Sequence, residues 1–570
     1  MRISEITMEK RTILAVALSV LVFIAFQWYQ QRYMKPEGGT QTSRPSSLAP
    51  AQPLSPEQPE SEKPRAAEEP LPQSKPLASA ADTNATAQTV TVDGDLYHAV
   101  IDNRGGVLTG WELKKYKSAQ GLPFQMISTA HDSGRRSFPS TLIFPDAGVT
   151  ALANNEPYEV SIEGASGKGA TLCPPVTVTL RLRRGDLSIE KRYFFEKDNY
   201  LLGLSATLEK GGKALDGRFV LGQDIGPEPE HLLSSAKLEA VYFSEGKARR
   251  EGPPKSEEEI RKIGTDVIWA GLDMQYFAMI LIPSQPLSYI DIQKRAVKAD
   301  SLDGGKVDRD LLRLTMPVFG SLKCQMYLGP KQPSNLEAVK DADITGVIDY
   351  GMFKILVVPL LAALRWIYQF VQNYGYAIIL LTLLLSLLLF PFRLKQMLSM
   401  KKMQVVQPKV KAIQEKYRRY KKTDPKRAEM NQEIMALYKE HNVNPLGGCV
   451  PLILQFPLLL AFYSLLAHSI ELRQAPFIWW LHDLSAKDPY YVLPIIMGIT
   501  MFISQRMTPM APGADPAQAK MMMFMPVVFT LMFFSVSSGL NLYFLCSNIF
   551  QVGFQKIAER WTGDGNGSKS

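Results

Sequence analysis

Between Tyr374 and Phe554 the chain is a succession of apolar, helix-length runs, broken first by a Lys/Arg-rich stretch and then by short polar segments. A hydrocarbon core of roughly 30 Å needs about 17 to 25 apolar residues per helix, because each backbone amide inside it must bond within its own segment. The pattern predicts a polytopic membrane protein. Spans are expected at 12–29, 374–392, 445–467, 490–507, 520–536 and 540–556. The run from Lys520 to Phe554 is long enough for one helix, but Ser537-Ser538-Gly539 in its middle predicts a tight break.

The first span is read as an uncleaved anchor. Arg2, Lys10 and Arg11 precede the apolar run Ile13 to Phe26, which closes on the interfacial aromatics Trp28 and Tyr29. A signal peptide would end on a small-x-small cleavage site, and Phe26-Gln27-Trp28-Tyr29-Gln30 stands there instead. From Pro36 to Pro76 ten prolines sit among Gln, Ser, Ala and Glu. That composition buries too little apolar surface to offset ordering entropy, so 31–88 is expected to be a disordered tether.

From about Thr89 to Asp349 the apolar period becomes two. Val176, Val178, Leu180 and Leu182 alternate with polar residues, Arg184-Gly185-Asp186 turns the chain into Leu187 and Ile189, and Tyr200 to Leu208 repeats the alternation. This predicts an antiparallel meander within one large β-sandwich domain. The stretch Gly164 to Thr171 has a glycine-lysine pair, but Gly169 follows Lys168 where a phosphate loop has Ser or Thr, so a hairpin loop is expected.

Charge orients the membrane part. From Arg393 to Glu440 there are fourteen Lys or Arg against five Asp or Glu, which places this segment in the cytoplasm, while Ser469 to Pro489 carries a net charge of −1. Six spans then leave both termini inside. Met403, Val406, Val410, Ile413, Tyr417 and Tyr420 recur at intervals of three and four, one apolar stripe on a helix. Asp424 before Pro425 predicts the N-cap of a second helix, whose Met430, Ile434 and Leu437 answer the first. The product is a cytoplasmic helical hairpin over 393–443 whose basic faces suit anionic headgroups.

Enzyme chemistry has little support. Cys173 and Cys324 in the β-domain and Cys449 and Cys546 in the membrane part form no C-x-x-C, no histidine lies at ligand spacing, and no H-E-x-x-H or G-x-S-x-G occurs. Neither metal nor cofactor nor nucleic-acid binding is expected. Whether Cys173 and Cys324 pair is not decided by the sequence. Two other classes fit the chain less well. A secondary transporter calls for charged midplane residues and repeats, which are not seen. A membrane-tethered carbohydrate-active or carbohydrate-binding protein calls for paired carboxylates, and Asp224, Glu228 and Glu230 read more simply as a solvated turn.

Asn444-Pro445-Leu446-Gly447-Gly448-Cys449 leads into Gln455-Phe456-Pro457. Glu471-Leu472-Arg473-Gln474-Ala475-Pro476-Phe477, His482-Asp483-Leu484-Ser485 and Asp488-Pro489-Tyr490-Tyr491 follow. With these motifs the chain resembles the YidC/Oxa/Alb family of membrane protein insertases, in its Gram-negative form with a large periplasmic domain. The resemblance implies a multidomain membrane protein: a polytopic α-helical bundle of six transmembrane helices, five forming the insertase core, plus a periplasmic all-β supersandwich. It divides the chain into an anchor (1–30), the tether (31–88), the periplasmic domain (89–349), the core (350–558) and a cytoplasmic tail (559–570). The implied work is insertion and chaperoning of nascent inner-membrane proteins through a hydrophilic groove, with membrane lipids, the Sec translocon and the ribosome as partners.

The groove candidates are Thr382, Ser386, Arg393, Gln455, Gln505 and Asn541. The family's groove arginine falls, counting back from Pro391, on Ser386, so a fixed midplane charge is not expected. Arg393 lies about 10 Å nearer the cytoplasm on roughly the same face and fits an ordinary positive-inside anchor as well. Gln505 and Asn541 suit interhelical hydrogen bonds equally. Phe456, Pro457, Met532, Tyr543 and Phe544 fall where the family's apolar slide for substrate helices lies, with core packing the plainer role. The methionines from Met507 to Met525 supply adaptable apolar surface.

Overall fold

The protein is described here by a computed structural model, which defines residues 85–118, 121–128, 137–164, 171–226, 238–300, 306–420, 424–441, 450–507 and 516–563. The expected anchor, most of the tether, the loop around Lys168, and Glu228 and Glu230 lie outside the described residues.

The meander forms as its alternation requires. Strands β1 (Val176–Arg184), β2 (Leu187–Phe195) and β3 (Leu201–Lys210) pair antiparallel, and β4 (Phe277–Pro283) and β5 (Ser321–Pro330) continue the sheet in the order β4-β5-β3-β2-β1. Val176, Val178, Leu180 and Leu182 all turn into the core. A five-stranded sheet built from the first residues of the domain packs against this larger fifteen-stranded one. Between them Trp111 is wholly buried and stacks on Tyr97 at 4.1 Å, and its indole N–H donates to the Leu328 carbonyl at 2.9 Å. That bond lets so large a ring be buried without stranding its one polar group.

The domain is not purely β, because short helices occupy Ala147–Asn155 and Pro333–Glu337, and the strands end at Pro330. Cys324 is buried and Cys173 exposed, and both are free thiols.

The helical part begins with an element the sequence reading passed over. Helix α1 (Lys354–Val371) precedes α2 (Tyr374–Lys416), whose N-cap Asn373 accepts a hydrogen bond from the Tyr376 amide. Both α1 and the first half of α2 are long and apolar enough to cross a membrane. The expected span 374–392 does not end at Phe392 but runs unbroken, with Pro391 inside it, into the first hairpin helix. At 1.5 Å per residue this one helix is about 64 Å long, roughly twice a hydrocarbon core.

Helix α3 (Lys426–Glu440) folds back on α2: Met403, Val406 and Val410 pack with Tyr438, Ile434 and Leu437, the stripe pairing the periodicity predicts. The helix begins one residue later than expected, with Asp424 accepting from the Lys426 amide. The remaining helices are α4 (Val450–His468), α5 (Val492–Met507), α6 (Pro516–Phe533) and α7 (Ser538–Gly563), so the break at Ser537 is real.

Contacts give the helices' directions. Ile378 lies beside Gly539 and Phe390 beside Phe554, so α2 and α7 run parallel. Tyr491 meets Phe534 while Gln555 donates to the Met507 carbonyl, so α5 runs parallel to α7, and α6 runs back along α5 with Thr530 beside Gly498. One end of the bundle gathers the 469–491 loop and the 534–537 turn, tied by the Ser538 amide to Ala486 O and the Gly539 amide to Leu484 O. The basic hairpin leaves from the opposite end.

Helix α1 lies across the first end. Tyr350, just before it, accepts from Ser464; Arg365 pairs with Glu471; and Asn373, just after it, donates to the carbonyls of Pro476 and Phe477. A helix about 27 Å long whose two ends both meet this short segment cannot run along the bundle. The β-domain joins the same end, with Gln275 donating to Ala467 O and Gln474 donating to the carbonyls of Lys117 and Ser118.

Candidate functional site

Helix α2 has two chemically distinct faces. Leu380, Leu384, Leu387 and Leu388 are exposed, while Ala377, Ile378, Leu381, Thr382 and Ser386 are buried. The i, i+4 spacing of Thr382 and Ser386 puts both hydroxyls on the protected side, and Thr382 satisfies its own by donating to the Ile378 carbonyl at 2.6 Å. Leu and Ile on the opposite faces of α2 and α5 give the bundle an apolar exterior.

Helix α7 supplies the second polar wall. Asn541 is fully buried, and its amide nitrogen donates to the carbonyls of Phe533, Val536 and Ser537. Those carbonyls belong to the turn that breaks α6 from α7, so Asn541 holds that turn together. Its side-chain oxygen is buried without a hydrogen-bond partner, and so is the Asn548 amide nitrogen two turns along. Buried amides cost about 1–3 kcal/mol each unless water or an incoming polar group bonds them. Ser504 on α5 and Ser547 on α7 are buried as well. Asn548, Ser504 and Ser547 escaped the sequence reading, although Asn548 lies at i+7 from Asn541, a spacing that returns to the same helix face.

The other candidates scatter. Arg393 is half-buried and lies within electrostatic range of the Tyr543 hydroxyl, which brings the basic end of α2 against α7. Gln505 is partly buried on α5. Tyr543 stacks on Phe462 at 4.0 Å and Phe544 meets Phe533 edge-on at 4.8 Å, so both aromatics pack between helices. Met532 is 39% exposed on the outer surface of α6, and Pro457 is partly buried within α4. The side chains of Gln455 and Phe456, and those of Met521 and Met522, lie outside the described residues. Among the described residues no cluster of His, Cys, Asp or Glu is able to hold a metal ion.

A large β-domain seated on one end of a helical bundle with an apolar exterior and buried polar walls is the architecture of an integral membrane protein that carries a domain on one side. Family models agree along nearly the whole described length: "YidC periplasmic domain" matches residues 89–363 and "60Kd inner membrane protein" matches 366–564. The chain belongs to the YidC family of membrane protein insertases. It is 38% identical over 574 residues to the membrane protein insertase YidC of Citrifermentans bemidjiense, covering 98% of this chain and all of that one. To the insertase of Syntrophus aciditrophicus it is 33% identical over 560 residues, 96% of this chain and 99% of the relative. A solved structure of an active YidC insertase with its first transmembrane domain resolved aligns at 17% identity and a TM-score of 0.35, over 82% of this chain and 92% of that one.

Proposed function

We propose that the chain inserts nascent inner-membrane proteins by giving their short polar flanks a hydrated path beside α2 and α7. The observation that carries this reading is the polar lining of Thr382, Ser386, Asn541 and Asn548 inside a bundle whose outer faces are Leu and Ile. Moving about 20 apolar residues into lipid is downhill, so the protein need only lower the cost of carrying the polar flank. No cofactor is required for that work.

In this reading the apolar half of α2 and helices α4 to α7 are five core spans, and 12–29 is a sixth. Both termini and the hairpin are cytoplasmic, and 89–349 is periplasmic. Parity supports this: if α1 also spanned, the strongly basic hairpin would fall outside. Helix α1 instead lies at the periplasmic interface, with Ile355, Trp366 and Phe370 exposed toward lipid. Phe456, Pro457, Met532, Tyr543 and Phe544 are assigned to the apolar slide, Gln455 and Gln505 to the groove, and Arg393 to its mouth. The ribosome and the Sec translocon are its expected partners.

Replacing both Thr382 and Asn548 with leucine dries the path. Insertion of a single-span client in cells depleted of the native protein is expected to fall at least tenfold, while Arg393→Gln has a partial effect, because a charge at the wet mouth is screened within about 8 to 10 Å. Full insertion by an abundant, folded double variant would sink the hydrated-path reading.

A further inference from the structure

The outer face of the sheet β4-β5-β3-β2-β1 carries a cleft of about 740 Å³. Register builds its floor. Thr177, Phe194, Gly203, Gln325 and Ile282 are successive cross-strand partners and form one row across five strands. Beside it, Arg192, Ser205 and Lys323 form a second row. One position in the first row has no side chain: a Cβ on Gly203 would come 3.2 Å from the Phe194 Cβ. Beside that notch the Phe194 ring is 43% exposed.

Three observations select the occupant. Every strand beneath the cleft is hydrogen-bonded on both sides, so no free edge is available for an added peptide strand, and recognition falls to side chains. Arg192 and Lys323 are balanced by Glu196 and Asp341, so the lining favours neither an acidic nor a basic ligand. The polar groups are also braced: Arg192 pairs with Glu190 at 2.5 Å, and Glu196 accepts from Asn199 at 2.5 Å.

An exposed aromatic face flanked by braced, charge-balanced hydrogen-bonding groups complements a neutral ring that has one C–H face and many hydroxyls. We propose that this cleft binds neutral carbohydrate, an oligosaccharide whose one ring stacks on Phe194 over the Gly203 notch. Its hydroxyls bond Arg192, Gln325, Lys323 and Glu196. The volume lies within the range of about 300–1,000 Å³ that ligand sites occupy. None of the residues lining the cleft belongs to a helix of the bundle, so this function is expected to be independent of insertion.

The test is isothermal titration of the detergent-solubilised full-length protein with maltotriose, cellotriose and chitotriose, using a polyethylene glycol of similar mass and a neutral extended peptide as comparators. Saturable binding of at least one sugar is expected. It should weaken tenfold or more in Phe194→Ala, which removes the ring, and in Gly203→Val, which keeps the ring and fills the notch. Thermal unfolding and client insertion should stay unchanged in both. Binding of peptide or polyethylene glycol but no sugar, sugar binding indifferent to both variants, or no binding of any probe would each overturn the proposal.

Discussion

Lys191 stands on the inward side of β2, between Ile189 and Tyr193, and is wholly buried. Its ammonium donates to the carbonyls of Gly105, Gly106 and Ser140 at 2.7, 3.2 and 2.6 Å, tying the start of the domain to the meander. Burial pushes its pKa down to about 7. Between that value and the ordinary lysine range near 10.5, the unfolded chain holds a proton that the folded chain has released, so stability should rise with pH across this window. Below pH 7 both states are charged and the dependence flattens. Lys191→Met should abolish that slope and, by stranding buried carbonyls, cost about 2–4 kcal/mol at neutral pH. Urea unfolding of the full-length protein from pH 6 to 10 reads both effects, and an unchanged slope in the variant would refute the assignment. Asn541 makes a comparable claim within the bundle. Asn541→Leu should unfasten the α6–α7 turn and cost about 1–3 kcal/mol, seen as a lowered Tm and faster proteolysis between Phe533 and Ser538.

At the scale of elements, the basic hairpin is the clearest test of patterning. Its seam is small, Met403, Val406, Val410 and Tyr438 with Ile434 and Leu437 beside them, and its polar rim adds Lys416 to Glu433 at 2.8 Å. The Lys416 ammonium and the Tyr417 hydroxyl together hold the Glu433 carboxyl below its usual range. Such an exposed pair adds little. The apolar seam therefore carries the hairpin, and Val410→Asp should open it by burying an unpaired charge, whereas Glu433→Gln should leave it closed. Hydrogen exchange over 424–441 distinguishes the two: fast exchange in Val410→Asp and near-native protection in Glu433→Gln are expected.

Across the whole molecule, the β-domain grips one end of the bundle through the 464–477 segment. Gln275 and Gln474 bond across the junction, and the Arg473 guanidinium lies over the Phe124 and Phe277 rings at 5.3 and 5.4 Å. Within the domain's edge, Asp273 is held by Lys331 at 2.7 Å and by Arg250 at 3.3 Å. None of these contacts builds the polar walls of α2 and α7. Deleting most of 40–330 while retaining residues 1–39 should therefore leave measurable insertion, and complete loss in a variant that accumulates would show that the domain takes part in the work. Topology has its own check. With the four native cysteines replaced, a cysteine at Lys426 should resist a membrane-impermeant thiol reagent in cells whose outer membrane alone is permeabilised, while one at Lys487 should react. Labelling at Lys426 would reverse the orientation.

Length and period alone determined much of this: the apolar runs, the period-two domain from Thr89, the hairpin stripe and the break at Ser537 follow from local patterns that a strand or helix must satisfy by itself. Helix α1 was illegible in kind, because eighteen mostly apolar residues satisfy a span and an end-lying helix equally, and only Tyr350 meeting Ser464 before it and Asn373 meeting Phe477 after it decide between them. The cleft was illegible for a related reason. Thr177, Phe194, Gly203, Gln325 and Ile282 are scattered across more than a hundred residues and become one row only when strand register aligns them. The polar wall stands between these cases. Thr382, Ser386 and Asn541 could be read as polar residues in apolar runs, but which way they face, and that Asn548 joins them, is fixed by packing between helices, a long-range choice that no single segment encodes.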